Sequence, residues 1–457
     1  MRRMPEPEAI GATLPLWSMV PFAGILLSIA FMPLVAPHFW HRHYPKIAAF
    51  WALVFALPFV VSHGEAAWHA LLHTALTDYL PFVILLWGLY TVAGGVVIGG
   101  SLRATPARNT GILLLGTGLA SLAGTTGASM LLIRPLLRAN AGRKHRAHVM
   151  VFFIFLVSNI GGALTPLGDP PLFLGFLHGV PFFWTLHLWP HLLLATAVLL
   201  VLFYFMDRRY DRIESATGTS PDAPQAAPGP VRLEGGINGP ILLGILGAVL
   251  LSGTWHPGAV RILGIDESIE SLARNAAIVA LGALSLAVTP RRLRIANDFS
   301  WGPMREVAIL FAAIFATIIP AVLILKVGEA GPAAALVRGV REPWQLFWVT
   351  GGLSSFLDNA PAYMTFLNSL LGRFYAGLPE ATSVLRLTTE YRLHLEAVAA
   401  GAVFMGANTY IGNAPNMMVK AIAEEAGVGM PSFFGYVLRW SGPILLPLFV
   451  LMSLFLF

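Results

Sequence analysis

Long apolar runs separated by short polar or basic breaks set the pattern of this chain. A helix needs about 20 mostly apolar residues to cross a bilayer. The runs 17–36, 47–61, 81–100, 149–160, 182–206, 237–253, 275–289, 307–325 and 433–457 are read as spans on that ground. Two further regions, 111–137 and 344–371, are apolar but rich in Gly, Thr, Asn and Pro, and a third, 396–422, is broken in its middle. At the start, Arg2 and Arg3 precede Pro5, Pro7 and a long apolar run. The expectation there is a span with no cleaved signal peptide.

Composition narrows the class. Of the 457 residues 56% are apolar and 11% charged, against about 25% charged in a soluble domain. Such a mix cannot cover a water-soluble globule, which argues against a soluble enzyme, a disordered chain and a nucleic-acid binder. The basic pI near 9.7 reflects short Lys/Arg clusters between apolar runs, which read as topology signals. The chain has no cysteine, so disulfides, thiol chemistry and Cys-ligated metals are excluded.

Those clusters give an orientation. With the Arg42/Lys46 loop in the cytoplasm, the same side collects Arg103, Arg108, Arg134, Arg138, Arg143, Lys144 and Arg146. It also takes Arg208, Arg209, Arg212, Arg232, Arg291, Arg292, Arg294, Arg305, Lys420 and Arg439. This works only if 111–137 enters and leaves from one face as a re-entrant hairpin. Region 344–371 then becomes a second hairpin opening to the opposite face.

A Pro/Ala/Ser-rich segment, 213–236, splits the chain into halves 1–212 and 237–457. The halves resemble each other in the same order. Gly118 to Met130 lines up with Gly352 to Met364, and Thr165 to Leu172 with Thr409 to Asn416. Asn-Ala-Pro occurs at 359–361 and again at 413–415. Paired interrupted apolar segments point to a transporter binding site, because a helix break in hydrocarbon is tolerated only against protein or a wet cavity. Pro171 and Pro415 free a carbonyl, and Gly168 and Gly412 allow the turn.

Few polar residues reach that level. The hairpins supply Ser121, Thr125, Thr126, Ser355, Asp358 and Asn359; the broken helices supply Ser158, Asn159, Thr165, Asp169, Asn408, Thr409 and Asn413. A charge at the bilayer centre costs roughly 2.5–3.5 kcal/mol or more, so Asp169 and Asp358 each need a cation, a proton or a hydrogen-bonded cage. The plainer reading makes them caps of half-helices. Asp169, Asp358, Asn159 and Asn408 are the candidate sodium ligands.

The stretches SNIGGALTPLGDPP (158–171), SSFLDNAPAYMTFL (354–367) and GANTYIGNAPN (406–416) resemble the ion-transporter superfamily. Its members include NhaD-type sodium/proton antiporters, citrate and dicarboxylate transporters, and arsenite-pump membrane subunits. The stretch TDYLPFVILLWGLYTVAGG (77–95) resembles the sodium:proton antiporter or citrate transporter branch. The resemblance implies an all-α polytopic membrane protein with two inverted repeats, each holding a re-entrant hairpin and a broken transmembrane helix. It further implies a scaffold, a mobile transport domain, a homodimer and sodium-binding Ser-Asn-(Thr) corners. Those corners map to Ser158-Asn159, where Ile160 replaces the Thr, and Asn408-Thr409.

Two transport readings stand. In the first, Asp169 and Asp358 take Na⁺ or H⁺ in competition, which couples the two fluxes. In the second, Asn and Thr side chains and half-helix N-termini hold citrate or another carboxylate, and Na⁺ or H⁺ is the coupling ion. No Arg or Lys lies inside the motifs, which favours exchange. A channel and an intramembrane aspartyl protease are the weaker alternatives; Pro166 replaces the first Gly of the protease's Gly-x-Gly-Asp. No catalytic residue and no cofactor beyond the coupling ion is expected.

Several features have plainer readings. His63, Glu65, His69 and His73 could ligate zinc or sense pH, although interfacial histidines are commoner. His178, His187 and His191 read as interfacial beside Trp184 and Trp189, and Asp78 reads as a helix start. Glu306, Lys326 and Glu396 read as span-end residues.

The expected organisation has scaffold helices in 1–100 and a first transport repeat in 101–206 (hairpin 111–137, broken helix 149–178). A cytoplasmic linker follows in 207–236 and further scaffold in 237–343. The second transport repeat is 344–430 (hairpin 344–371, broken helix 396–424), and a last scaffold helix occupies 431–457. The expected setting is a bacterial inner membrane.

Overall fold

The computed structural model describes residues 7–100, 104–216 and 232–457. Arg2, Arg3, Pro5, Arg103 and residues 217–231 of the 213–236 linker lie outside the described residues. The chain is an all-α polytopic membrane protein. Among the described residues eight helical stretches are long and apolar enough to cross a membrane: Leu16–Val35, Pro37–His63, Glu65–Ala93, Ala147–Leu164, Phe182–Ala216, Ile269–Val288, Gly302–Lys326 and Phe433–Leu456. Asn238–Ser252 is apolar but shorter. Strands among the described residues form only two-stranded antiparallel pairs.

Segment 81–100 departs from expectation. Its helix stops at Ala93, and Val97–Gly99 pairs as a strand with Arg232–Glu234. The crossing length is made upstream instead, where Glu65–Ala93 runs on through a wide π turn at Thr74–Tyr79. A second π turn, Val437–Ser441, likewise comes two residues before a proline, Pro443 as against Pro81. Proline has no N–H and crowds the carbonyl four residues back, so widening the preceding turn lets the helix continue. Asp78 therefore lies inside a helix and does not start one.

Helix Trp189–Ala216 also outruns its expected end at 206. The reason is a buried ionic network. Arg143 Nη1 lies 2.5 Å from Asp207 Oδ1 and its Nε 3.2 Å from Glu214 Oε2. His148 Nε2 lies 2.8 Å from the same Asp207 oxygen, and Asn109 donates to Asp207 Oδ2 at 2.9 Å. Arg143, expected as a solvent-facing topology charge, is buried. Trp184 and His191 are buried too, while Trp189 is exposed. Lys326 pairs with Glu380, and Glu396 with Arg392.

The centre holds Ala147–Leu156 and Arg392–Met405, whose residues are apolar on nearly every face and buried throughout most of their length. A helix of that pattern belongs in an interior. Each is flanked by a helical hairpin. Pro106–Ala123 turns into Thr125–Ala139 at Gly124, and Pro343–Phe356 turns into Asn359–Tyr375 at Leu357-Asp358. Pro106 and Pro343 open their hairpins at first-turn positions that need no N–H donor. Gly124 has φ +77°, a conformation costly for any residue with a Cβ.

Candidate functional site

Both central helices break just after their apolar stretch. The first passes through a 3₁₀ turn, Ile160–Leu164, and an extended link before Pro170–Leu177 begins. The second passes through Gly406–Asn408 before Ala414–Glu425. Each link doubles back tightly. A Cβ on Gly168 would sit 2.1 Å from the Gly162 carbonyl oxygen, and one on Gly412 2.5 Å from that of Gly406. Any larger residue at either glycine would force the two strands of the break apart.

The hairpin tips clamp these breaks with matching hydrogen bonds. Ser121 Oγ donates to the Gly161 carbonyl at 2.5 Å, and Thr165 Oγ1 donates to the Ser121 carbonyl. In the other half Ser355 Oγ donates to the Met405 carbonyl at 3.1 Å, and Thr409 Oγ1 to the Ser355 carbonyl at 2.5 Å. The inner links also agree: Leu167 N donates to Thr165 Oγ1 and Ile411 N to Thr409 Oγ1, each at 3.2 Å. These are the positions that the sequence alignment pairs. Ser121, Thr165, Ser355 and Thr409 thus fix the breaks in place with hydroxyls engaged by the backbone.

Asp169 sits where the halves meet. Its Oδ1 accepts from Thr125 Oγ1 at 3.0 Å and from Asn413 Nδ2 at 2.9 Å, and its Oδ2 accepts from Asn359 Nδ2. Thr125 and Asn359 are matching residues of the two hairpin tips. Asp169 and Asn413 are matching residues of the two breaks. One buried carboxylate therefore gathers a donor from each of the other three elements of the site, and all of these donors are neutral. The Asn413 amide also reaches the Ser158 carbonyl at 3.2 Å, and Ser158 Oγ meets Ser129 Oγ at 2.9 Å. The Thr125 backbone N–H donates to the Gly168 carbonyl at 2.8 Å, tying tip to break.

Asp358 differs. It is half-buried, and its Oδ1 accepts only the Ala360 N–H at 3.2 Å, as the cap of Asn359–Tyr375. It lines, with Thr126, Asp169 and Asn413, a cavity of about 80 Å³. The rest of the lining is largely apolar and includes Phe82 and Leu85 from Glu65–Ala93 and Met304 and Phe311 from Gly302–Lys326. No Lys or Arg lines the cavity among the described residues.

The remaining asparagines carry exposed chemistry without exposed surface. Asn159 donates to the Ile154 carbonyl at 2.8 Å and to Asn416 Oδ1 at 2.7 Å, and Asn408 donates to Ser355 Oγ at 2.9 Å. The carbonyl oxygens Oδ1 of Asn159, Asn359 and Asn408 are buried and receive no donor. Buried acceptors without donors are uncommon, and oxygens of this kind suit a hard cation such as sodium. Sequence reasoning missed Asn416. Its Nδ2 bridges the Gly406 and Thr409 carbonyls at 2.9 Å each, while its Oδ1 holds Asn159 of the other half. The signal was there: Asn416 stands where the first half has Leu172. The alternative reading of His63, Glu65, His69 and His73 as zinc ligands finds no support; among the described residues no group of three or more His, Cys, Asp or Glu is placed to hold a metal.

Over 334 residues the chain is 27% identical to an uncharacterized transporter of Mycobacterium bovis and, to the same degree, to one of Mycobacterium tuberculosis, covering 71% of this chain and 71% of each relative. The family described as "Putative citrate transport" matches residues 11–457, and the chain belongs to it.

Proposed function

We propose that this transporter exchanges sodium ions for protons by alternating access, with Asp169 and Asp358 as the groups for which the two cations compete. The observation that carries the reading is the cavity itself. It brings two carboxylates together with no basic side chain to bind an anion, and its volume of about 80 Å³ is room for a few waters. Three donor-free amide oxygens, of Asn159 and Asn408 at the breaks and Asn359 at a hairpin tip, offer further ligands. Competition of two ions for one site couples their fluxes, because a bare carboxylate is costly inside the membrane and the site changes sides only when one cation or the other fills it. In this reading the hairpins are re-entrant, the repeats are inverted, and Glu65–Ala93 and Gly302–Lys326 form part of a fixed scaffold in a homodimer of the bacterial inner membrane.

A second reading has its own support in the family's description: citrate or a related carboxylate is the cargo, and sodium ions or protons neutralise it in the cavity. One experiment separates the two. Proteoliposomes containing the purified chain receive a sodium gradient while internal pH and labelled citrate are followed. Proton movement driven by sodium without citrate is the expected result. Citrate uptake with no sodium-driven proton flux in its absence transfers the assignment to the carboxylate reading. No flux of either kind removes both.

A further inference from the structure

Four ionisable side chains meet at the far end of the half-helix that starts at Asp169. His178 follows Pro170–Leu177, so this short helix, about 12 Å long at 1.5 Å per residue, has Asp169 at one end and His178 at the other. His178 Nδ1 lies 2.5 Å from Glu380 Oε1, and its Nε2 lies 3.6 Å from Asp78 Oδ1. Lys326 Nζ lies 2.6 Å from the other oxygen of Glu380. Asp78 and Lys326 belong to Glu65–Ala93 and Gly302–Lys326, two helices that also line the cavity. The cluster thus ties the helix carrying Asp169 to helices that share the cavity with it.

The ring of His178 has a carboxylate at each nitrogen. A neutral imidazole carries one N–H and would turn a lone pair toward the other anion; an imidazolium offers an N–H to both. At 3.6 Å the Asp78 contact is an ion pair without a hydrogen bond. Charge balance points the same way, since the two carboxylates touching the ring are met by one lysine. Burial opposes that cation, but Glu380 and Asp78 outweigh burial and Lys326 together. Burial would likewise raise the carboxyl of Glu380, which His178 and Lys326 instead hold below its ordinary range. Other titratable groups lie further out: His73 and His69 along the same helix as Asp78, Glu267 within reach of Asp78, and Arg274 beside Glu267.

We infer that His178 is a proton-binding site separate from the two cavity carboxylates, and that its proton clasps the Asp169 half-helix to Glu65–Ala93 and Gly302–Lys326. Loss of the proton leaves two carboxylates around a neutral ring, and the clasp loosens. Its bearing on transport rests on the alternating-access reading above; the proton and the clasp do not.

The test uses the full chain in lipid nanodiscs with isotope-labelled histidine, the His178 signal being assigned by its loss in His178→Gln. The expected result is an imidazolium that titrates at least one pH unit above the ordinary value near 6.5, with Glu380→Gln lowering that midpoint by one unit or more. A midpoint in the ordinary range, or one that Glu380→Gln leaves in place, overturns the proton site. Amide hydrogen exchange over residues 172–180, corrected for intrinsic rates, reads the clasp. Opening should be about tenfold more frequent at pH 9 than at pH 6.5, with the difference lost in His178→Gln. Equal protection at both pH values overturns the clasp. If His178→Gln fails to fold, Glu380→Gln carries the exchange measurement, and site-specific labelling assigns the signal. Failure of the flux assay would remove the transport reading and leave both of these measurements standing.

Discussion

Replacing Asp169 with Asn changes one oxygen into an amide in a place with no room for another donor. The carboxylate accepts from Thr125, Asn413 and Asn359 and is 2% exposed. An asparagine there keeps one acceptor. If its oxygen faces Thr125 and Asn413, its amide faces that of Asn359; turned over, its amide faces that of Asn413. Flipping Asn359 turns its donor-free oxygen toward the new amide but sets its own amide where that oxygen lay. One buried donor is thus left without its acceptor, about 1–3 kcal/mol, a cost that falls on the contact between the two halves. No cavity arises, because the side chains match in shape. Thermal unfolding of purified Asp169→Asn should therefore begin well below wild type, and reconstituted protein should show no sodium-driven proton flux. Wild-type unfolding together with wild-type exchange would refute both the cage and its role.

Asp358→Asn should behave differently. Asn caps a helix about as well as Asp, so unfolding should shift by less than about 1 kcal/mol while coupled exchange is lost; retained exchange would remove Asp358 from the mechanism. Asn416→Leu installs the residue found at the matching position of the first half. It strips partners from the Gly406 and Thr409 carbonyls and from the Asn159 amide, costing roughly 3 kcal/mol or more, and should weaken sodium dependence together with heat resistance. Topology can be read with single cysteines in this cysteine-free chain. Cysteines at the exposed positions Lys144 and Leu378 should react with an impermeant maleimide from opposite sides of the membrane; labelling from one side would refute inverted hairpins.

Membrane residence, the helical class and the two broken segments were legible in the sequence, because long apolar runs and paired Gly/Pro interruptions have few structural solutions in a bilayer. The pairing of positions was legible as well: residues aligned between the halves make matching hydrogen bonds at Ser121 and Ser355 and at Thr165 and Thr409. What the sequence left open was the use of each polar group. It ranked Asp169 and Asp358 alike, yet one is caged by donors and the other faces the cavity nearly free. It assigned Arg143 to topology and His178 to the interface, although both are held by carboxylates far along the chain, in Asp207, Glu214 and Glu380. Local pattern fixes which segments leave water, since that depends on side-chain transfer alone. Which acid keeps a free oxygen, and which cation answers which anion, depends on contacts a few ångströms long between residues remote in sequence, and only the folded chain sets those distances.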